Sequence, residues 1–229
     1  MKLDQAIAFV TGSNRGIGKA LLEELQARGV KKIYAAARDP KSITTPGVIP
    51  VQLDVTNPEQ VAAAAKLAAD ANLVINNAGI ATTTSILAPN AVETMRREHE
   101  TNVYGLLDVS RAFAKQLAGG TLVNVLSVVS WVTTPLLATY ASSKSAAWSV
   151  TNALRHELRA QNTKVTGVHV GFVDTDLTHG IDAPKIAASA VAKSIVDGIE
   201  QGDEEIIVDG FSKAVHDNLT KSGYLAARL

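Results

Sequence analysis

The amino-acid sequence predicts one α/β domain built on a doubly wound sheet of seven mostly parallel strands, with helices on both faces. Three observations support this prediction. Short apolar runs alternate with longer stretches of helical periodicity along the 229 residues. The apolar runs are hydrophobic at consecutive positions, as strands buried on both faces are. The connections are long enough for crossover helices, and no Pro-, Gly- or Ser-rich linker divides residues 1–229 into two domains.

Each element follows from its own pattern. The predicted strands, each an apolar run of strand length, are AIAFV (6–10), KIYAAA (32–37), VIPVQLDV (48–55), NLVIN (72–76), TLVNVLS (121–127), KVTGVHV (164–170) and EEIIVD (204–209). The first helix, residues 17–28, has Ile17, Leu21 and Leu25 at helical spacing. Pro58 at an early helical position marks the second helix, residues 61–69. The remaining predicted helices are residues 88–117, 138–161 and 184–200.

The composition excludes several function classes. Lys and Arg number 22 and Asp and Glu number 22, so the zero net charge indicates no nucleic-acid or anionic-membrane partner. The absence of cysteine excludes disulfides, thiolate metal sites and cysteine nucleophiles. The N-terminus lacks the apolar run of a signal peptide, and the uncharged stretch between Lys115 and Lys144 is interrupted by polar residues and Pro135. We therefore expect a soluble, cytoplasmic protein.

A glycine-rich loop, TGSNRGIG at residues 11–18, lies between the first strand and the first helix. Gly12, Gly16 and Gly18 allow a tight turn and a close approach of a pyrophosphate, and the N–H groups at the helix start attract negative charge. The spacing G-x-x-x-G-x-G differs from the general dinucleotide fingerprint G-x-G-x-x-G. A loop that only needs positive φ angles would contain the same glycines. The position after the first strand nevertheless favours a nucleotide site in a Rossmann-type domain.

The stretch ATYASSK at residues 138–144 places Tyr140 and Lys144 four residues apart, and hence on one face of a helix. A free phenol titrates near pH 10, and an ammonium group facing it out of water favours the phenolate. Tyr140 would then be a usable acid or base. The alternative is an exposed i,i+4 pair on a helix surface. The spacing alone leaves both interpretations open.

Four motifs in register resemble the short-chain dehydrogenase/reductase family. They are the glycine loop, NNAG at 76–79, Ser127, and the stretch from Tyr140 to Lys144, with the family's separation of thirteen residues between Ser127 and Tyr140. The resemblance covers essentially the whole chain. It implies that Ser127 donates a hydrogen bond to the substrate oxygen, that Tyr140 exchanges a proton with it, and that Lys144 depresses the pKa of the phenol and holds the nicotinamide ribose. It also implies that Asn102, in HETNVYG, anchors a water relay to Lys144.

The end of the second strand indicates which nicotinamide cofactor is used. In Rossmann-type sites a carboxylate about 20 positions after the glycines holds a ribose 2′-OH, whereas an arginine there accommodates a 2′-phosphate. This strand ends at Ala37 and Arg38, and the resemblance places Arg15 in the same region. We therefore expect NADP(H). Asp39 leaves NAD(H) open, because its carboxylate could turn towards the ribose.

The resemblance assigns further residues to the cofactor. Asp54 resembles the residue that meets the adenine amino group, with Val55 against the ring, although Asp54 could equally cap the segment that follows. In VHVGFVDTDL, Val170 replaces the family's usual proline, which puts the geometry of this loop in doubt. The other residues expected at the cofactor, besides those already named, are Asn14, Ile17, Asn76, Ala78, Gly79, Gly171, Val173 and Thr175.

Together these observations predict an oxidoreductase that transfers a hydride between NADP(H) and a carbonyl/alcohol pair, acting as a ketone or aldehyde reductase. The alternatives are an NAD-linked alcohol dehydrogenase and a nucleotide-binding redox sensor without turnover. The short segment TDLTHGIDAPK covers only part of the pocket, so we expect an open mouth and an apolar small-molecule substrate. The candidates for an apolar wall are Trp131, Leu136, Leu137, Phe172, Leu177 and Ile181.

Two further expectations concern metals and assembly. His169 and His179 are isolated, and no metal site is predicted. By resemblance, the helices that carry Asn102 and Tyr140 pair across a twofold axis in a homodimer or homotetramer. Their apolar faces serve either an interface or packing on the sheet, and consist of Leu106, Val109, Phe113, Trp148 and Leu154.

Overall fold

A computed structural model describes residues 1–221 and confirms the predicted fold class. The main-sheet strands are β1 (Ile7–Thr11), β2 (Lys32–Ala37), β3 (Ile49–Gln52), β4 (Leu73–Asn76), β5 (Thr121–Val125), β6 (Lys164–His169) and β9 (Glu205–Ile207). Their order is β3-β2-β1-β4-β5-β6-β9, and every pairing is parallel. Two short strands, β7 (Val173–Asp174) and β8 (Ile186–Ala187), pair with each other outside this sheet.

Helices cover both faces of the sheet. They are α1 (Gly16–Ala27), α2 (Pro58–Leu67), α3 (Ala91–His99), α4 (Leu106–Phe113), α5 (Ala138–Glu157), α6 (Ala188–Gln201) and α7 (Gly210–Asp217). One buried cluster contains residues of α1 and α6, and a second contains residues of α2, α4 and α5. The strands between them are apolar on both sides because both of their faces are covered.

Besides the short strands β7 and β8, which were not predicted, the structure differs from the predicted elements in three main places. The helix predicted over 88–117 is divided by a π-helical turn, Glu100–Gly105, and such turns often occur at functional sites. β3 ends before Asp54, because the carboxylate of Asp54 accepts hydrogen bonds from Thr56 and turns the chain. Helix α7 was not predicted: it has only eight residues and no long apolar periodicity, although Asp209 caps its first turn.

The apolar residues considered for a subunit interface are used mainly within the monomer. Val109 and Phe113 of α4 are fully buried, and the Phe113 ring lies 4.6 Å from the ring of Phe9 in β1. Leu106 and Leu154 are buried in the same cluster, and Trp148 packs against it. Of the two interpretations left open, packing on the sheet is therefore the one that the structure supports. Within residues 1–221, no helix is both long and apolar enough to cross a bilayer.

Candidate active site

A cavity of about 1010 Å³ lies where the carboxyl ends of the central strands meet. Its walls come from the segments that follow β1 to β6, with further residues from α3, α5 and α7. Open parallel sheets bind ligands at this edge. The volume reaches the top of the range of roughly 300–1,000 Å³ that holds one drug-sized ligand. The cavity can therefore accept a ligand as large as a dinucleotide.

The glycine loop forms one wall through two tight backbone contacts. Gly12 has φ +63°, and a Cβ atom there would lie 2.8 Å from Cα of Ala78. A Cβ atom on Gly18 would lie 2.1 Å from the carbonyl oxygen of Gly12, so only glycine lets α1 pack this close to the loop. Gly18 therefore acts in packing and does not itself line the cavity, whereas the loop residues that do so are Gly12, Asn14, Arg15, Gly16 and Ile17. The N-terminus of α1 thus faces the cavity, as an anion site requires.

The NNAG segment is held against this loop by Thr11. Its Oγ1 accepts hydrogen bonds from the backbone N–H groups of Asn77 and Ala78, each at 3.0 Å. The Asn77 side chain donates to the carbonyl oxygens of Thr11 and Gly12 at 3.1 and 2.9 Å. Ala78 and Gly79 consequently line the cavity, as expected for a cofactor site.

Asn76 does not line the cavity, which corrects its expected place beside the cofactor. Its buried side chain donates to Oγ of Ser110 at 3.0 Å and to Oδ1 of Asn124 at 2.9 Å. As the last residue of β4, it points into the layer between the sheet and α4. Its hydrogen bonds therefore join these two layers.

Asn102 also lies outside the cavity lining, one layer behind it. Its Oδ1 accepts from the N–H of Ile80 at 2.9 Å, and its Nδ2 donates to the carbonyl oxygen of Ile80 at 2.8 Å and to Oγ of Ser143 at 2.9 Å. The π-helical turn thus presents a buried amide that ties the segment after NNAG to α5. The water relay to Lys144 stays a prediction.

The segments after β2 and β3 line the cavity with Arg38, Asp39, Asp54 and Val55. Asp39 uses its carboxylate locally, accepting a hydrogen bond from the N–H of Lys41 at 3.0 Å. Arg38 is exposed and has no ion-pair partner within residues 1–221. Burial, the largest single influence, raises the pKa of Asp54, but two hydrogen bonds from Thr56 and the charge of Arg38 outweigh it and lower the pKa overall.

Arg15, the second expected cation, is engaged elsewhere. Its Nη1 lies 2.9 Å from Oδ2 of Asp176, which belongs to the segment after β7. Both side chains are exposed, so this ion pair contributes little stability. Its geometric effect is to connect the glycine loop to the segment that carries Gly171, Val173 and Thr175, all of which line the cavity.

Ser127, Tyr140 and Lys144 line the same cavity. The Oγ of Ser127 makes two long hydrogen bonds, donating to the carbonyl oxygen of Val170 and accepting from the N–H of Val129, both at 3.3 Å. Lys144 is buried, and its Nζ donates a hydrogen bond of 2.8 Å to the carbonyl oxygen of Val125. The Nζ atom also lies 5.8 Å from the centre of the Tyr140 ring. The two residues of α5 therefore share one face, as the spacing predicts.

The electrostatic expectation for Tyr140 is wrong in direction. Burial raises the pKa of Tyr140 above its ordinary value, the nearby Ser127 hydroxyl lowers it, and the charge of Glu98 raises it further. The ammonium of Lys144 is directed to Val125, and burial lowers the pKa of Lys144 to about 8. Desolvation of the phenol therefore outweighs the expected effect of the lysine, and the structure favours a protonated Tyr140 at neutral pH.

Replacing Lys144 by methionine is expected to remove a pH dependence of stability. Burial lowers the pKa of Lys144 from 10.5 to about 8. Between these values the unfolded chain binds a proton that the folded chain does not, so the free energy of unfolding of the wild type rises with pH. At 1.36 kcal/mol per pKa unit the rise reaches about 3 kcal/mol. Urea unfolding of both proteins below and above this pH range measures it, and parallel stability curves would contradict the prediction.

The apolar wall is confirmed for only some of the expected residues. Leu137, Phe172, Leu177 and Ile181 line the cavity, whereas Trp131 and Leu136 do not. Trp131 stacks instead on the buried His169, with ring centres 3.8 Å apart, and Leu136 is exposed. Trp131 follows a short 3-10 helix that turns its side chain away from the cavity.

Several lining residues could not be found from the sequence. They are Ile80, Ala81, Thr82, Arg97 and Phe211. Thr82 and Arg97 meet through a hydrogen bond of 3.1 Å between segments that are distant in the sequence, and Phe211 belongs to the unpredicted helix α7. The only signal for α7 was the capping residue Asp209. Within residues 1–221 no group of three His, Asp or Glu side chains could hold a metal ion.

Comparisons with known proteins bear on this geometry. A family model described as short chain dehydrogenase matches residues 6–185. The chain is 31% identical over 194 residues to a 3-oxoacyl-(acyl-carrier-protein) reductase, FabG, of Vibrio cholerae, covering 80% of this chain and 79% of that protein. A crystal structure of a short chain dehydrogenase from Burkholderia cenocepacia, in complex with NADP, has a TM-score of 0.94 at 35% identity and covers 99% of this chain and 97% of that one. A short chain dehydrogenase/reductase from Burkholderia phymatum, in complex with NAD, shares the fold with a TM-score of 0.86 at 23% identity, covering 97% and 96%.

Proposed function

Because the chain belongs to the short-chain dehydrogenase/reductase family, we propose that it is an NADP(H)-dependent oxidoreductase that interconverts a ketone or aldehyde and its alcohol. One observation carries this proposal: Ser127, Tyr140 and Lys144 line the same cavity as the glycine loop and Arg38. A reductase that uses a nicotinamide cofactor requires a proton donor and an anion-binding helix terminus in the same cavity.

The residues of the chain divide the chemistry between them. When bound, the nicotinamide supplies the hydride. The Ser127 hydroxyl makes only long hydrogen bonds of 3.3 Å within the protein. It can therefore exchange the one that it donates to Val170 for a hydrogen bond to the substrate carbonyl oxygen. Tyr140 gives its proton to that oxygen as the alcohol forms, and burial holds the phenol protonated for this step. Lys144 supplies a buried donor on the same helix face, available to ribose hydroxyls.

The preference for NADP(H) rests on the two charged residues after β2. Asp39 caps the short 3-10 helix Pro40–Ser42, so one oxygen of its carboxylate is already engaged by the N–H of Lys41. Arg38 offers a guanidinium at the cavity wall, and this group pairs with a phosphate through two parallel hydrogen bonds. The NADP complex of the Burkholderia cenocepacia relative is consistent with this preference.

Arg38→Ala is expected to raise the KM for NADPH by about 10- to 100-fold, because a charge-assisted hydrogen bond contributes roughly 1.5–3 kcal/mol. The KM for NADH should stay near its wild-type value, since NADH carries no 2′-phosphate. Steady-state kinetics with both cofactors measure the change. Lys41→Ala, which removes a neighbouring cation that does not line the cavity, is the matched control. An equal preference for NADPH in wild type and Arg38→Ala would contradict the assignment.

The substrate class follows from the apolar part of the cavity. Leu137, Phe172, Leu177, Ile181 and Phe211 line the cavity with apolar side chains, so we propose an apolar ketone or aldehyde. The test is NADPH oxidation by the purified protein over a panel of carbonyl compounds of increasing apolar size. Tight NADPH binding without turnover on any compound would favour a redox sensor instead. A homodimer or homotetramer stays a prediction of the resemblance, and a cytoplasmic location stays a prediction from the sequence.

A further inference from the structure

A buried carboxylate next to the proposed catalytic centre takes no part in the reaction described above. Glu98, near the end of α3, is 0% exposed. Its Oε1 accepts a hydrogen bond from the N–H of Thr82 at 2.8 Å. Its Oε2 is buried and has no hydrogen-bond partner within residues 1–221. A buried carboxyl oxygen without a hydrogen-bond partner lowers the free energy of unfolding. Glu98 is therefore an unfavourable residue for stability alone, which indicates a function at this position.

Glu98 and Asn102 together hold the segment that follows NNAG. Asn102 bonds both the N–H and the carbonyl oxygen of Ile80, and Glu98 bonds the N–H of Thr82. Four residues of helix rise about 6 Å, which is close to the roughly 6.6 Å spanned by two residues of extended chain. Asn102 and Glu98 therefore hydrogen-bond the backbone of this segment as a neighbouring β-strand would. Ile80, Ala81 and Thr82 all line the cavity.

We propose that Glu98 is a positioning residue, which fixes the cavity segment 80–82 through the hydrogen bond that one of its carboxylate oxygens accepts from the N–H of Thr82. This inference rests on the proposed function for the assignment of the cavity to NADPH. Without this hydrogen bond the cofactor would have to order the segment on binding, which costs affinity.

The proposal is tested by comparing Glu98→Gln, which keeps an oxygen for the N–H of Thr82, with Glu98→Ala, which keeps none. Only the alanine variant loses the hydrogen bond to Thr82, so we expect its affinity for NADPH to fall by about 2- to 10-fold, as for one lost hydrogen bond. Glu98→Gln should bind NADPH like the wild type. Fluorescence titration of NADPH measures both, and circular dichroism establishes that each variant is folded.

The outcomes separate this inference from the proposed function. The NADPH titration uses no carbonyl substrate, so an absence of carbonyl reduction would refute the proposed function and leave this result interpretable. Equal NADPH affinity in Glu98→Ala and Glu98→Gln would overturn the positioning role.

Discussion

Tyr140→Phe is expected to lower kcat for NADPH-dependent carbonyl reduction by about 10²- to 10⁴-fold, the usual contribution of a positioned general acid. The substitution removes only the hydroxyl. The ring packs against the buried cluster of Val128, Val129, Val132 and Ala141, and phenylalanine preserves these apolar contacts. Stability and NADPH affinity should therefore stay close to those of the wild type. The measurement combines kcat from NADPH absorbance, NADPH affinity from fluorescence, and the midpoint of thermal unfolding.

The matched control for this prediction is Tyr104→Phe. Tyr104 is an exposed tyrosine that does not line the cavity, so loss of its hydroxyl should leave kcat unchanged. If Tyr140→Phe retained kcat near the wild-type value, the proton would have to come from another group. The proposal for Ser127, Tyr140 and Lys144 as one catalytic centre would then be untenable.

Gly18→Ala is expected to abolish NADPH binding and to lower the free energy of unfolding by about 3 kcal/mol, the upper end of the usual cost of overpacking. The new Cβ atom would lie 2.1 Å from the carbonyl oxygen of Gly12 and 2.7 Å from Nδ2 of Asn77. These two groups cannot move independently to relieve the clash, because Nδ2 of Asn77 donates a hydrogen bond of 2.9 Å to the carbonyl oxygen of Gly12. Relief of the clash would move α1 away from the loop and separate the helix N-terminus from the cavity. Urea unfolding and NADPH titration measure the two effects.

Gly210→Ala is the control for the glycine loop. A Cβ atom on Gly210 meets no heavy atom within 4 Å, and Gly210 is the first residue of α7. This substitution should leave NADPH affinity unchanged and should not destabilise the protein. Normal NADPH binding by Gly18→Ala, at wild-type stability, would show that α1 does not pack on Gly12 as described.

The sequence alone determined the features that depend on local spacing. Alternation of apolar runs with helical stretches specified the parallel, doubly wound sheet, because strands covered on both faces must be apolar throughout. The glycine loop lies at the cavity because the carboxyl end of a first parallel strand leads there. Tyr140 and Lys144 share one helix face because a spacing of four residues is about one helical turn.

Only the tertiary structure decided the features that depend on partners distant in the sequence. Asn76 joins the sheet to α4 through Ser110 and Asn124, and a residue at a strand end can face either side until its neighbours are known. The direction of the Tyr140 pKa shift depends on burial and on Glu98 of another helix, which no i,i+4 spacing reveals. Desolvation is a property of everything that surrounds a group, so it is determined only when the whole chain has packed.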